Sequence, residues 1–216
     1  MTFSFNFQQR FTTMKNVIKM LCAAAMLFTL NACSTAKNNN EAAIERYSDL
    51  HFDNKDPIPL TVKTINIKSE FTPSFTRPNV EHMFPVSIEK TAKTWAKERL
   101  EAVDFSSNRT AEFIIQDASV TEQEIKAAQL LQKDGLKYHA NLKVVLRVID
   151  NNASTQTSVE AYRELTMPID TSIEDKERHW NEMVINLFKS FDEHMDTNVH
   201  KYLNMYIKDN QTIVTY

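Results

Sequence analysis

The chain has 216 residues, with 28 acidic against 25 basic side chains, a formal net charge of -3, one glycine and two cysteines. A single glycine cannot build a phosphate-cradling P-loop, a dinucleotide fingerprint or a nucleophile elbow, each of which needs two or more at fixed spacing. Mild acidity argues against nucleic acid, whose binders carry a basic patch or stripe, so neither nucleotide nor nucleic acid is an expected ligand.

Met14 to Cys33, MKNVIKMLCAAAMLFTLNAC, has the parts of a bacterial lipoprotein signal peptide. Lys15 and Lys19 form a basic start, Met20 to Leu30 an uncharged apolar core, and Leu30-Asn31-Ala32-Cys33 has the shape of a lipobox with an atypical Asn31. A spanning helix needs roughly 20 apolar residues, about twice the run between Lys19 and Asn31. Cys33 is therefore the expected site of lipid attachment, tying the protein to a membrane. Residues 1–13 match no part of such a signal, and Met14 is the expected start. Removing residues 1–32 takes away Arg10, Lys15, Lys19 and no acid, moving the net charge from -3 to -6. It also removes Cys22, so the mature chain has Cys33 alone, without a disulfide or a thiolate metal site.

Residues 33–57 are polar and read as a tether. A single globular domain is expected over 58–207, with a polar tail at 208–216. Leu60 to Phe71 reads as a strand in which Ile65, Ile67, Ser69 and Phe71 share one parity and Leu60 and Val62 the other, which calls for a bulge or a shared edge. Thr72 to Val86 is a long connection carrying Pro73, Pro78 and Pro85. Ser87 then caps a helix of about 17 residues, with Ile88, Ala92, Trp95, Ala96, Arg99 and Val103 on one stripe. Glu112 to Ala118 reads as a short strand with Phe113 and Ile115 inward.

Thr121-Glu122-Gln123-Glu124 has the form of a capping box, which predicts a short helix over 121–133 ended by a left-handed Gly135. Two alternating strands follow. Pleat parity allows only an even-numbered loop between them, and Asn151-Asn152 as a tight turn sets Lys143 opposite Glu160 and Val144 opposite Val159. Thr171-Ser172-Ile173-Glu174 offers a second capping box. Trp180, Val184, Leu187, Phe191, Met195, Val199, Tyr202 and Tyr206 then keep helical phase over about 30 residues, with a break expected near Asp196-Thr197-Asn198.

The six histidines do not seed a metal site. His194 and His200 fall on different helix faces, and no His-x3-His or Glu-x-x-His pair occurs. Glu122 with Glu124 and Glu174 with Asp175 are explained as helix-start carboxylates, and Trp95 and Trp180 as core residues. No catalytic residue, metal ligand or cofactor is expected. The best candidate for binding is the proline-bounded loop, where Phe75, Arg77, His82, Met83 and Phe84 cluster without a periodic reason to be buried. Two readings stand: Phe75 and Phe84 plug an open edge of the core, or the loop contacts a partner.

PNVEHMFPVSIEKTAKTWAKERL (78–100) and ERHWNEMVINLFKSFDEHMDTNVHKYL (177–203) resemble an uncharacterised family of alphaproteobacterial lipoproteins. In layout the chain is similar to the small lipoproteins that serve as auxiliary components of ABC-type transport systems in the Gram-negative envelope. The resemblance implies an α+β two-layer sandwich: an antiparallel sheet in β-α-β-β-β-α order, two principal helices on one face and a long C-terminal helix. From the resemblance only Cys33 carries over as a defined functional residue; the lipobox, an enzyme-poor composition, the long last helix and the unassigned aromatic loop lead to the expectation of a lipid-anchored binding or scaffold protein with a protein partner in the cell envelope. The helix over 121–133 departs from that layout, in which an irregular loop stands there. The alternatives are an envelope hydrolase with dispersed carboxylates and a purely structural lipoprotein. Ser34, rather than aspartate, after the lipid cysteine makes the periplasmic face of the outer membrane the expected location.

Overall fold

A computed structural model describes residues 47–127 and 134–208. The fold is α+β. Its strands are β1 (Ile58–Leu60), β2 (Thr64–Ser69), β3 (Leu100–Ala102), β4 (Thr110–Asp117), β5 (Val120–Ile125), β6 (Gly135–Asp150) and β7 (Ala153–Pro168), and its helices are α1 (Ile88–Arg99) and α2 (Ile173–Tyr202). The main sheet runs β2-β4-β6, with β7 along one side of β6 and β5 on the other, beyond the end of β4. β1 and β3 form a separate parallel pair.

The hairpin follows from parity. β6 and β7 pair in unbroken register, with Lys143 opposite Glu160 and Val144 opposite Val159. Asn151 takes the positive φ of 54° that a two-residue turn demands. Tyr138, Ala140, Leu142, Val144, Leu146 and Val148 of β6 are buried beneath the helices.

The strand expected over 60–71 is two strands. The parity conflict between Leu60/Val62 and Ile65/Ile67 is resolved by a break at 61–63, so β1 joins β3 and β2 joins β4. The main sheet is not wholly antiparallel either, because β2 runs parallel to β4. Such a pairing requires a long crossover, which residues 70–109, with α1 inside them, supply.

Ser87 caps α1 as expected, its hydroxyl accepting the Lys90 N–H. The helix stops at Arg99, short of the expected length, because Leu100 to Ala102 are drawn out as β3 beside β1. α2 is capped one residue later than its pattern suggested: the Asp175 N–H donates to Ser172, whose hydroxyl donates back to Asp175. It runs through 196–198 without the expected break, since Met195 and Val199 stay buried and hold its last turns to the sheet. Tyr202 is exposed, while Met183 and Phe188 join the buried stripe. Among the described residues no helix is long and apolar enough to cross a membrane.

Three further expectations are overturned. Residues 120–125 are strand β5, not the start of a helix, and Glu122 faces Tyr138 across it. Gly135 opens β6 without a positive φ. A Cβ there would stand 3.3 Å from the Met167 carbonyl oxygen, which explains a small residue by close approach rather than by a helix end. The tether also ends earlier than 57. Tyr47, Leu50 and Phe52 pack against the core.

Residues 47–56 form a strap over α1 and α2. Asp49 pairs with Lys90 at 2.7 Å. Glu98 accepts from the His51 ring and from the Phe52 N–H, each at 2.7 Å. Lys55 reaches Asp192 at 2.5 Å, and Arg99 donates to the Asp56 carbonyl. Asp192 is the buried centre of this arrangement, accepting also from Trp95 Nε1 at 2.9 Å and Arg99 Nε at 3.1 Å. Burial pushes its carboxyl up, but the hydrogen bonds from Lys55, Trp95 and Arg99 outweigh that and hold it below the ordinary range.

Candidate functional site

The connection from β2 to α1 is built onto β5. The Val80 N–H donates to the Val120 carbonyl and the Glu122 N–H to the Pro78 carbonyl, both at 2.8 Å, and Asn79 pairs with Thr121 as an antiparallel bridge. The Arg77–Pro78 peptide is cis. Glu81 turns back to accept the Ser74 N–H at 2.7 Å. These bonds make the loop an added edge on β5.

Its five candidate residues divide. Phe84 is 7% exposed and stacks on Trp180, ring centroids 4.9 Å apart; it is a core side chain. Phe75 is 74% exposed, with the His82 ring 5.4 Å from its own, and Met83 is 43% exposed. Arg77 reaches over the surface to the Glu122 carboxylate. Phe75, Arg77, His82 and Met83 thus stand on the surface while Phe84 fixes the loop beneath them. Beside Phe75 and His82, and away from Arg77 and Met83, lies a cleft of about 190 Å³, walled by Phe71, Pro73, Phe75, Phe84 and Ile88 with Glu81 and His82 among its polar lining. An apolar wall with a carboxylate and an imidazole suits an amphipathic side chain from another molecule.

Two residues that position this loop were missed from the sequence. Glu122, which resembled part of a helix cap, is a strand residue that takes the Tyr138 hydroxyl at 2.6 Å as well as Arg77. Burial and the bond to Glu122 raise the Tyr138 hydroxyl well above its ordinary range, keeping it a neutral donor. The available signal was Tyr138 itself, the polar-tipped member of an inward-facing strand parity, which needs a partner when buried.

Cys33, the expected lipid-attachment residue, lies outside the described residues. Among the described residues no cluster of three metal-ligating side chains occurs. His139 lies beside Glu164 on the far face of the sheet, His179 beside Glu182 and His200 beside Asp196.

No protein-family profile matches the chain, and no curated protein matches it. Among solved structures it is similar to a minor lipoprotein from Acinetobacter baumannii, with a TM-score of 0.37 and 12% identity, over 65% of this chain and 95% of that one. It is also similar to the rare lipoprotein B from Shewanella oneidensis, with a TM-score of 0.33 and 11% identity, over 62% of this chain and 97% of that one.

Proposed function

We propose that the protein is a lipid-anchored binding or scaffold module of the periplasm, an accessory to transport or assembly of envelope components, attached through Cys33 to the periplasmic face of the outer membrane. The observation that carries this reading is that the chain enters the domain where the candidate loop lies. Tyr47 packs against the core, and Asp49 is bonded to Lys90 near the start of α1. The loop leads directly into α1, and its Phe84 rests on Trp180 of α2. From Cys33 to Tyr47 the chain can span at most ~3.3–3.6 Å per residue, roughly 50 Å. Phe75, Arg77, His82 and Met83 would therefore work close to the anchoring membrane, against a partner that is itself in or on it.

Anchoring and binding are tested separately. Intact-mass analysis should find acyl chains on a protein beginning at Cys33, and Cys33→Ser should leave an unlipidated precursor. A mature chain starting elsewhere without lipid would remove the anchor from the reading. On a density gradient the protein should travel with outer-membrane markers, and travel with inner-membrane markers would refute that placement. Pull-down from solubilised membranes should recover an envelope partner that Arg77→Ala and Met83→Ala lose while melting like the parent. Undiminished recovery by both variants would exclude the loop as the contact.

A further inference from the structure

β7 is the margin of the main sheet opposite β5, and among the described residues no strand pairs with its outer side. The Asn141 N–H donates to the Ser119 carbonyl at 2.9 Å, so odd-numbered residues of β6 direct their main chain away from β7. Asn141 lies opposite Tyr162. In an antiparallel ladder both members of such a pair look away from each other, which turns the even-numbered residues of β7 to the free side. Side chains confirm the direction: Asn198 donates to the Ser158 carbonyl at 3.1 Å and Arg163 to the Tyr162 carbonyl at 2.9 Å. Pro168, which has no N–H to direct outward, has the same parity. Among the described residues, the N–H groups of Ser158, Glu160, Tyr162, Glu164 and Thr166 make no hydrogen bond within the chain.

Proteins ordinarily blunt such an edge with a bulge, a proline, lysines or a covering segment. β7 is 16 residues long, pairs with β6 without a register shift, and has no proline or lysine before Pro168. α2 flanks the edge instead of closing it. Ser190 and His194 with Glu160 and Tyr162 line an open cleft of about 370 Å³, and Asn198 continues the same helix stripe one turn on. A row of free amides beside a helix is the geometry that takes an added strand.

The charges select the strand. Glu160 and Glu164 are the ionic side chains on this parity of the edge. Glu164 is met by Lys137 at 2.9 Å and by His139 at 3.5 Å, and Glu160 by the Asn141 amide at 3.4 Å, all from β6, while the Arg163 guanidinium at the Tyr162 carbonyl is a cation that an added strand must displace from the free side. Two copies of β7 paired antiparallel about any point from Val159 to Leu165 bring Glu160 or Glu164 opposite or diagonal to a carboxylate of the other copy, which is unfavourable. We propose that the free edge of β7 accepts an extended segment of a partner protein carrying lysine or arginine at alternate positions. This surface is separate from the loop at residues 72–86 and does not depend on lipid at Cys33.

The test uses the full chain in detergent micelles and a labelled nine-residue peptide alternating threonine and lysine. The peptide should bind by fluorescence anisotropy and slow hydrogen exchange at the amides of Ser158, Glu160, Tyr162, Glu164 and Thr166. Methylating the peptide's alternate amides, or replacing its lysines with glutamate, should weaken binding at least tenfold. Tyr162→Pro removes an outward N–H that the β6 ladder does not use and should cost tenfold or more at an unchanged melting temperature. If that variant melts early, Glu160→Lys with Glu164→Lys serves in its place and should transfer the preference to the glutamate peptide. Binding without protection of those amides, or equal binding of the methylated peptide, overturns the proposal. So does their protection in the absence of peptide together with a concentration-dependent dimer, which would make a second copy the occupant.

Discussion

Asp192→Ala should be among the most damaging single substitutions in the protein, and the structure sets its size. The change leaves the buried Trp95 Nε1 without an acceptor, a loss of about 1–3 kcal/mol, and takes one charge-assisted bond from Arg99, about 1.5–3 kcal/mol. Arg99 is 2% exposed and keeps Asp196 at 2.9 Å and the Asp56 carbonyl, so its charge is not wholly stranded. Lys55 is half exposed and contributes under about 1 kcal/mol. These effects share partners and do not add fully, so the expected loss is about 3–5 kcal/mol, the range for breaking a buried ion pair. Urea unfolding measures it: a slope of about 2 kcal/mol per molar puts the midpoint roughly 1.5–2.5 M lower at an unchanged slope. Asp192→Asn, which keeps one acceptor and loses the charge, should fall between. The sign of the pH dependence follows from the depressed carboxyl: its contribution is present above the ordinary aspartate value near 4 and is lost as pH falls through the lower folded value. The gap between parent and asparagine variant should therefore narrow below about pH 4. An alanine variant within about 1 kcal/mol of the parent, the range of exposed pairs, would refute the view that this carboxylate ties the strap to the two helices.

Phe84→Ala should cost about 3–5 kcal/mol by urea titration, the usual loss for a buried aromatic, whereas Phe75→Ala, on the same loop, should cost under about 0.5 kcal/mol; equal losses would contradict the division of the loop into a packed base and an exposed tip. The hydrogen bond to Glu98 raises the His51 ring above its ordinary value, so its hold on the strap is complete below about pH 6.5 and is lost as pH rises through the folded value. An NMR titration of that ring should show the elevation and lose it in Glu98→Gln; titration at or below the value of free histidine would show that the pair does not form in solution.

The hairpin was legible because parity is a strict constraint: a turn with an odd number of residues would have placed Val144 and Val159 on opposite faces. The helix stripes were legible for the same reason, since Trp95 and Phe191 must share a side with the sheet to be buried. The ends of elements were not. α1 stops at Arg99 because Leu100 finds β1, a neighbour 40 residues away in the chain, and no local pattern announces it. The strap was misread because Leu50 and Phe52 are too few to look like a core segment, and their burial depends on a groove that two later helices create. In the loop, composition marked the cluster but could not separate Phe75 from Phe84; only Trp180, far along the chain, decides which ring is covered.

The misreading of Thr121 to Glu124 exposes what organises the sheet. Four residues with the form of a helix cap became a strand because β6, at 16 residues, is much longer than β4 at 8, leaving Gly135 to Ala140 with unsatisfied main-chain groups on that side. Left buried and unpaired they would cost more than a capping box supplies, so β5 is recruited beside them, and the loop at 78–80 is recruited onto β5 in turn. On the other side β7 satisfies all of β6 at once and creates an edge of the same length. Nothing among the described residues answers that second demand beyond Asn198 and Arg163, each taking one carbonyl. A chain that twice adds a segment to complete one edge of its sheet leaves the other complete in everything but its neighbour, and that asymmetry places the strand-binding surface on β7.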